Sequence, residues 1–364
     1  MKVALVHDFL NTYGGAERLL YSIHQIYPEA PIFTTIHNPS KLPDFSPNHL
    51  VIPSKTYSTG FVRRFSKPFT FLLPLVFEQL DLSEYDLIIS STAGFAKGIV
   101  TRSDQLHICY CHTPPRFLYK YEGESNRRMV WYYAPFVSVL DSYFRIWDEF
   151  AASRVDLFVA NSQNTARRIK KYYRREAEVI YPPVNIESQK ILERDPQDFY
   201  LLVSRLSAYK HVEIAIEAAN KTGKKLTIVG TGPEEERLKA LSGPTVTWEG
   251  FVTDERLAEL YSQAKALIYT VQDEDFGMTP IEAMSYGCPV IGHRSGGLLE
   301  SIQEYENGMF FDEYTSDGLV KTIGSFDSHT FEPQKAKERA KDFSMDVFKQ
   351  RFSEFVNTQT HISI

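Results

Sequence analysis

The sequence predicts an α/β protein with two doubly wound parallel sheets. Three observations lead there. Short β-branched runs alternate with helical patterns from one end of the chain to the other. The alternation stops at Tyr181-Pro182-Pro183-Val184-Asn185 and then resumes. The length, 364 residues, suits two domains of ordinary size.

The first part, 1–183, carries candidate strands at 3–9, 31–36, 86–90, 106–111, 156–161 and 178–181. A helical stretch at 17–27 has apolar residues at three- and four-residue intervals. Strands alternating with such helices imply βαβ units and sheets buried on both faces. The Pro182-Pro183 pair forbids helix and favours an extended linker. The second part, 184–343, resumes with strands at 200–204, 225–229, 246–249, 266–270, 289–292 and 309–311. Its helices are expected at 212–221, 234–241 and 255–263. Two Rossmann-like domains would then face each other across a deep cleft, with ligands at the carboxyl ends of the strands. A last helical pattern at 344–355 follows the point where the second sheet is complete, so the segment 344–364 is expected to cross back onto the first domain.

Composition excludes other classes. Hydrophobic residues make up 43% and charged residues 24%, with glycine and proline dispersed, which is neither collagen-like nor disordered. Three cysteines with no C-x-x-C suggest neither a disulfide framework nor a zinc site. The longest uncharged apolar stretches, 68–77 and 129–140, are too short for the roughly 20 residues of a bilayer span. The amino terminus reads as a strand rather than a leader. The expected location is cytoplasmic, extending to the inner face of the cytoplasmic membrane. The net charge of −6 argues against nucleic acid as a partner. Its distribution is uneven: residues 1–185 hold 21 Lys and Arg against 17 Asp and Glu, and residues 186–364 hold 19 against 29. The two halves therefore suit different partners.

Four segments could carry chemistry. In the first, 272–291, a strand is followed by Asp273-Glu274-Asp275-Phe276-Gly277-Met278-Thr279-Pro280 and a helix. Thr279 reads as the N-cap with Pro280 at the first helical position, leaving backbone N–H groups of Gly277, Met278 and Thr279 for hydroxyl or phosphate oxygens. Glu274 and Glu282 are acceptors suited to a polyhydroxylated ligand. Thr279-x-x-Glu282 is also a capping box, which alone would explain Glu282. In the second segment, Arg205 and Lys210 lie in a strand-to-helix loop, either as a diphosphate site or as two solvated cations. In the third, Gly14-Gly15 before the first helix is either a ligand-approach loop or a simple tight turn, and it is not G-x-G-x-x-G. In the fourth, His112 follows a strand and precedes the rigid Pro114-Pro115.

Two further patterns are weaker. Asp273-x-Asp275 has the form of a metal site, but Arg205 and Lys210 already offer positive charge, so no metal is expected. Gly230-Thr-Gly-Pro233 lacks the ending of a phosphate loop and reads as a strand–helix turn near a nucleotide.

In combination the motifs resemble the retaining glycosyltransferases of family 4, with the GT-B fold. The resemblance rests on Ser204-Arg-Leu-x-x-x-Lys210, Gly250-Phe-Val252, the E-x7-E element from Glu274 to Glu282, Gly287-x-Pro289-Val290 and Ser295-Gly-Gly297. In the first half it rests on Gly14-Gly15 and His112-Thr-Pro-Pro. It implies that Arg205 and Lys210 bind the donor diphosphate, Glu274 the donor sugar hydroxyls and Glu282 the nucleotide ribose. Phe276, Gly277, Met278 and Thr279 would contact the sugar, Phe251 and Val252 the base, Gly14 and Gly15 the phosphates, and His112 the transferring sugar. The nucleotide-sugar is then a co-substrate, with no cofactor.

The segments around His112, Lys210 and Asp275 look most like those of bacterial mannosyltransferases of polysaccharide assembly. GDP-mannose is the first choice of donor and a glycan or lipid-linked oligosaccharide the acceptor; UDP- and ADP-sugars stay open. So do a nucleotide-sugar epimerase and a non-catalytic sugar-nucleotide-binding subunit. The stretch 61–73, with aromatics among Arg63, Arg64 and Lys67, reads either as a peripheral membrane contact or as a partly buried connector.

Overall fold

The structure, a computed structural model, describes residues 1–42, 50–54, 71–119, 134–184 and 193–362. The chain divides into two compact units, Met1–Pro182 with Phe348–Ile364, and Pro183–Val347.

The first unit is built on a parallel seven-stranded sheet. Its strands are β1 (Val3–His7), β2 (Ile32–Thr34), β3 (Val51–Pro53), β4 (Leu87–Thr92), β5 (Leu106–Cys111), β6 (Leu157–Ala160) and β7 (Ala177–Val179), ordered β3-β2-β1-β4-β5-β6-β7. The helices are α1 (Gly15–Ile26), α2 (Leu73–Glu78), α3 (Ala134–Ser153) and α4 (Gln163–Tyr173). β1, β4 and β5 are buried along almost their whole length, as central parallel strands are, with the polar Ser90, Ser91, Thr92 and His107 buried among their apolar residues. The order reverses at β1, so a crevice between the carboxyl ends of β1 and β4 is the topological switch point.

The second unit repeats the plan with six parallel strands: β8 (Tyr200–Val203), β9 (Leu226–Val229), β10 (Val246–Gly250), β11 (Ala266–Tyr269), β12 (Val290–His293) and β13 (Gly308–Phe311). The order is β10-β9-β8-β11-β12-β13, with the switch point between β8 and β11. Its helices are α5 (Val212–Thr222), α6 (Glu235–Leu241), α7 (Asp254–Gln263), α8 (Met278–Ser285), α9 (Leu298–Ser301), α10 (Ser316–Asp327) and α11 (Pro333–Lys341). The terminal helix α12 (Met345–Ile362) contributes Phe348 and Phe352 to the first unit, where both rings pack near Tyr110.

Several elements fall outside the expected set, and two of them bear on how the sequence reads. β3 is an additional strand, only three residues long and carrying Pro53. It lies at the sheet edge, where a strand can lack one N–H donor. α3 runs for 20 residues, whereas the sequence marked only an apolar stretch at its start.

Candidate active site

At the switch point of the second unit, the loop after β8 carries Ser204, exposed Arg205 and a single 3-10 turn, Ala208–Lys210. The loop is pinned from both sides. A Cβ on Gly230, whose φ is +123°, would strike the Ser204 carbonyl oxygen, so glycine lets the turn after β9 lie flat against it. On the other side the Thr270 hydroxyl donates to the Lys210 carbonyl at 2.7 Å, and the Tyr314 hydroxyl donates to the Thr270 carbonyl at 2.9 Å.

These contacts bring Lys210 and Glu274 together. The Lys210 Nζ donates to Glu274 Oε2 at 2.8 Å, and the Tyr269 hydroxyl donates to the same oxygen at 2.6 Å. Burial works against the Lys210 ammonium, but the Glu274 carboxylate and the Tyr269 and Tyr209 rings outweigh it and hold its pKa above the usual lysine value. Burial and the Glu274 charge push the Tyr269 phenol well up, so Tyr269 stays a neutral donor. The loop holding Glu274 is itself fixed from β12. Gly297 N–H donates to the Glu274 carbonyl at 2.8 Å, and the Ser295 hydroxyl accepts from Asp273 N–H at 2.9 Å. Gly296, at φ +61°, has no room for a Cβ against the Glu274 backbone.

The entrance to α8 corrects the expected cap. Gly277, at φ +89°, is the N-cap and Met278 the first helical residue, so Thr279 and Pro280 are the second and third. Gly277 reaches a left-handed geometry that threonine would resist. With the register moved by two residues, Glu282 sits inside the helix and cannot close a capping box with Thr279. Its Oε2 instead accepts from the Tyr261 hydroxyl at 3.3 Å. Phe276 turns its side chain inward, 3% exposed and edge-on to Phe343, so a ligand would meet its backbone rather than its ring. Phe251 is the opposite case: it follows the bulged end of β10 and is 88% exposed, with Val252 next to it. Asp273 and Asp275 belong to no metal-type cluster. Among the described residues there is no grouping of three or more His, Cys, Asp or Glu side chains that could hold an ion.

Gly14, Gly15 and His112 lie in the first unit, at the carboxyl ends of its strands. Gly14 is the N-cap of α1, and its N–H already donates to Glu17 Oε2 at 2.8 Å, the glutamate half of a capping box. His112 follows β5; its Nε2 is 2.9 Å from the Ser91 hydroxyl. Burial, with His7 nearby, lowers its pKa to about 4, so the ring is neutral near pH 7.

The model of the group 1 glycosyl transferases matches residues 184–343, and that of glycosyltransferase family 4 matches residues 13–188. Together they span both units. The chain belongs to the family 4 glycosyltransferases.

Among curated relatives of this glycosyltransferase, the alpha-1,3/1,6-mannosyltransferase ALG2 of Kluyveromyces lactis is 27% identical over 331 residues. That alignment covers 75% of this chain and 61% of the yeast protein, so the chain spans less than two thirds of that relative's length. The O-antigen chain mannosyltransferase C of Escherichia coli is 25% identical, covering 86% of this chain and 84% of its own. Among solved structures, the lipopolysaccharide outer core galactosyltransferase WaaB superposes with a TM-score of 0.70 at 18% identity, over 99% of this chain and 100% of that one. Anabaena HepE in complex with UDP gives 0.70 at 19% identity, over 98% and 100%. The fold is therefore GT-B, two Rossmann-like domains in one chain.

Sequence reasoning missed two residues that touch the candidate side chains, Tyr269 beside Glu274 in the second unit and Ser91 beside His112 in the first. Tyr269 was read only as strand. Its signal was a hydroxyl at the last position of a buried strand, five residues before Glu274. Ser91 lay just past the expected end of its strand, and nothing in its local pattern marks it. The proposed membrane stretch 61–73 lies, up to residue 70, outside the described residues; Phe71 beyond it is 48% exposed. Among the described residues no helix is long and apolar enough to cross a membrane.

Proposed function

We propose that this glycosyltransferase is a retaining hexosyltransferase that moves mannose from GDP-mannose to a glycan or lipid-linked acceptor in cell-surface polysaccharide assembly. The observation that carries the reading is the Lys210–Glu274–Tyr269 cluster, with Arg205 on the same loop, at the carboxyl ends of β8 and β11. Two cations suit a diphosphate, and a held carboxylate suits sugar hydroxyls.

In this reading the bond from the anomeric carbon to the donor phosphate breaks as the acceptor oxygen attacks from the same face. The departing diphosphate takes the acceptor's proton. Arg205 and Lys210 stabilise the charge gathering on that leaving group, so the mechanism invokes no metal. Glu274 orients the donor sugar and Glu282 the ribose, and the exposed Phe251 ring offers a face for the base. In the second unit the backbone of Gly277, Met278 and Thr279 holds the sugar; in the first, the roles read for His112 and for the Gly14–Gly15 turn are contact with the transferring sugar and with the phosphates. Catalysis is then charge stabilisation and positioning.

Mannose is supported by the two mannosyltransferase relatives. A UDP-sugar reading is favoured by a different observation, the solved HepE complexes with UDP and UDP-glucose. A lipid-linked acceptor is supported by an apolar stripe on α3. Val139, Tyr143, Ile146 and Phe150 are all more than half exposed and lie one above another at helical spacing.

Titration calorimetry with GDP, UDP, ADP and their sugar conjugates tests the donor. Tight binding of GDP and GDP-mannose, weakened by Arg205→Ala, is the expected result, with turnover in that variant reduced roughly 100- to 1000-fold. Preference for UDP would keep the transferase and discard GDP-mannose. Failure of every nucleotide to bind would remove the proposed donor site.

A further inference from the structure

At the switch point of the first unit, four polar side chains form a continuous line. β1 and β4 pair with His7 opposite Ser91, which brings their side chains together. The Ser91 Oγ lies 3.2 Å from His7 Nδ1 and 2.9 Å from His112 Nε2. Behind His7, its Nε2 is 3.9 Å from Glu17 Oε1, while the other Glu17 oxygen accepts from Gly14 N–H. His7, Ser91 and Glu17 are 3%, 0% and 8% exposed, so water competes little for these groups.

The line has a direction. A carboxylate can only accept, so it favours a proton on His7 Nε2, at ion-pair rather than hydrogen-bond range. That leaves His7 Nδ1 bare, and the Ser91 hydroxyl must donate to it. The Ser91 oxygen then accepts from His112 Nε2–H. Burial raises the Glu17 pKa, but the neighbouring His7 and the Gly14 amide bring it below the usual glutamate value, so the carboxylate is ionised near neutral pH. The neighbouring Asp8 does not compete. Its two oxygens are taken by the Thr92 hydroxyl and the N–H groups of Ala93, Phe95 and Ala96.

We propose that Glu17, His7 and Ser91 are positioning residues that fix His112 as the Nε2–H tautomer, presenting its Nδ1 lone pair as an acceptor for a hydroxyl of the sugar substrate. The use of that lone pair rests on the placement of His112 beside the transferring sugar; the tautomer itself does not. The Gly14–Gly15 turn thereby gains a second role: through the α1 cap it holds the carboxylate that polarises the line.

The test is imidazole nitrogen NMR on the full chain labelled with 15N-histidine, His112 being assigned by its loss in His112→Asn. The expected pattern near neutral pH is a protonated Nε2 and a bare Nδ1. Glu17→Gln keeps the cap, since glutamine can also accept from Gly14 N–H, but removes the charge. Both it and Ser91→Ala should shift His112 toward the opposite tautomer. Kinetics on the same variants should show kcat lowered about tenfold with donor KM nearly unchanged, and Ser91→Thr should restore most of it. A wild-type His112 protonated on Nδ1, or a pattern unmoved by Glu17→Gln, overturns the relay. A shifted tautomer with unchanged kcat supports the relay and instead removes His112 from the transfer step, so the two readings fail separately.

Discussion

Glu274 shows how much a single carboxylate depends on its neighbours. One of its oxygens receives both Lys210 and Tyr269, so the lysine neutralises its charge and the phenol fixes its orientation. Removing the phenol hydroxyl leaves the ring in its buried place and takes away one charge-assisted hydrogen bond, worth about 1.5–3 kcal/mol. Tyr269→Phe should therefore fold normally, keep nucleotide binding, and lose roughly 10- to 100-fold in kcat/KM. Steady-state kinetics beside calorimetry on the nucleotide checks this, and full activity in the variant would leave Tyr269 with packing alone. Glu282 teaches a related point. Its spacing from Thr279 fitted a cap, yet Gly277 starts the helix two residues earlier and that explanation lapses. A local pattern of four residues could not reveal this, because the start of α8 is set by a loop that Gly296 and Gly297 hold from another strand.

Among the elements, most strands were legible as short runs rich in apolar and β-branched residues. β9, Leu226–Val229, and β12, Val290–His293, buried at every position, are clear cases. β3 escaped because an edge strand of three residues needs little apolar patterning and tolerates proline. α3 escaped for a different reason. Its buried face, with Phe144, Trp147 and Ala151, and its exposed stripe of Val139, Tyr143, Ile146 and Phe150 are both apolar, which blurs the helical period. The loops after β8 and β11 were marked as candidate ligand loops by their residue types. What was not legible was that Lys210 and Glu274 touch, since their contact depends on two non-consecutive strands lying side by side. The α3 stripe yields the prediction at this scale. Replacing Ile146 and Phe150 together by aspartate removes apolar area and adds charge on an exposed face, so stability should change little. Co-sedimentation with anionic vesicles should fall several-fold relative to wild type. Equal sedimentation of both proteins would take this helix out of any membrane contact.

In the molecule as a whole, one plan is used twice. Each sheet reverses its order at its first strand, and each polar cluster gathers at that reversal: Glu17, His7, Ser91 and His112 where β1 meets β4, and Arg205, Lys210 and Glu274 where β8 meets β11. The two units hold different titrating groups. In the second, Asp327, despite burial that opposes its charge, is held at about 2 by Lys224, Lys265 and Tyr200, so its contribution is lost only as the pH falls below about 4. The first holds buried neutral histidines as well as its own buried Lys97–Asp148 ion pair. Burial lowers His107 to about 3, with Arg154 adding to it, and lowers His112 to about 4. In the unfolded chain both titrate near about 6.5. Between that value and the depressed ones the unfolded state binds protons that the folded state does not, so folding stability must fall as the pH is lowered through this window. Urea unfolding followed between about pH 7 and about pH 4 should show a midpoint that declines well before the carboxylates titrate. His107→Gln, which cannot take up a proton, should flatten part of that decline, while a wild-type midpoint constant down to about pH 4 would mean that these rings are not held neutral in the fold.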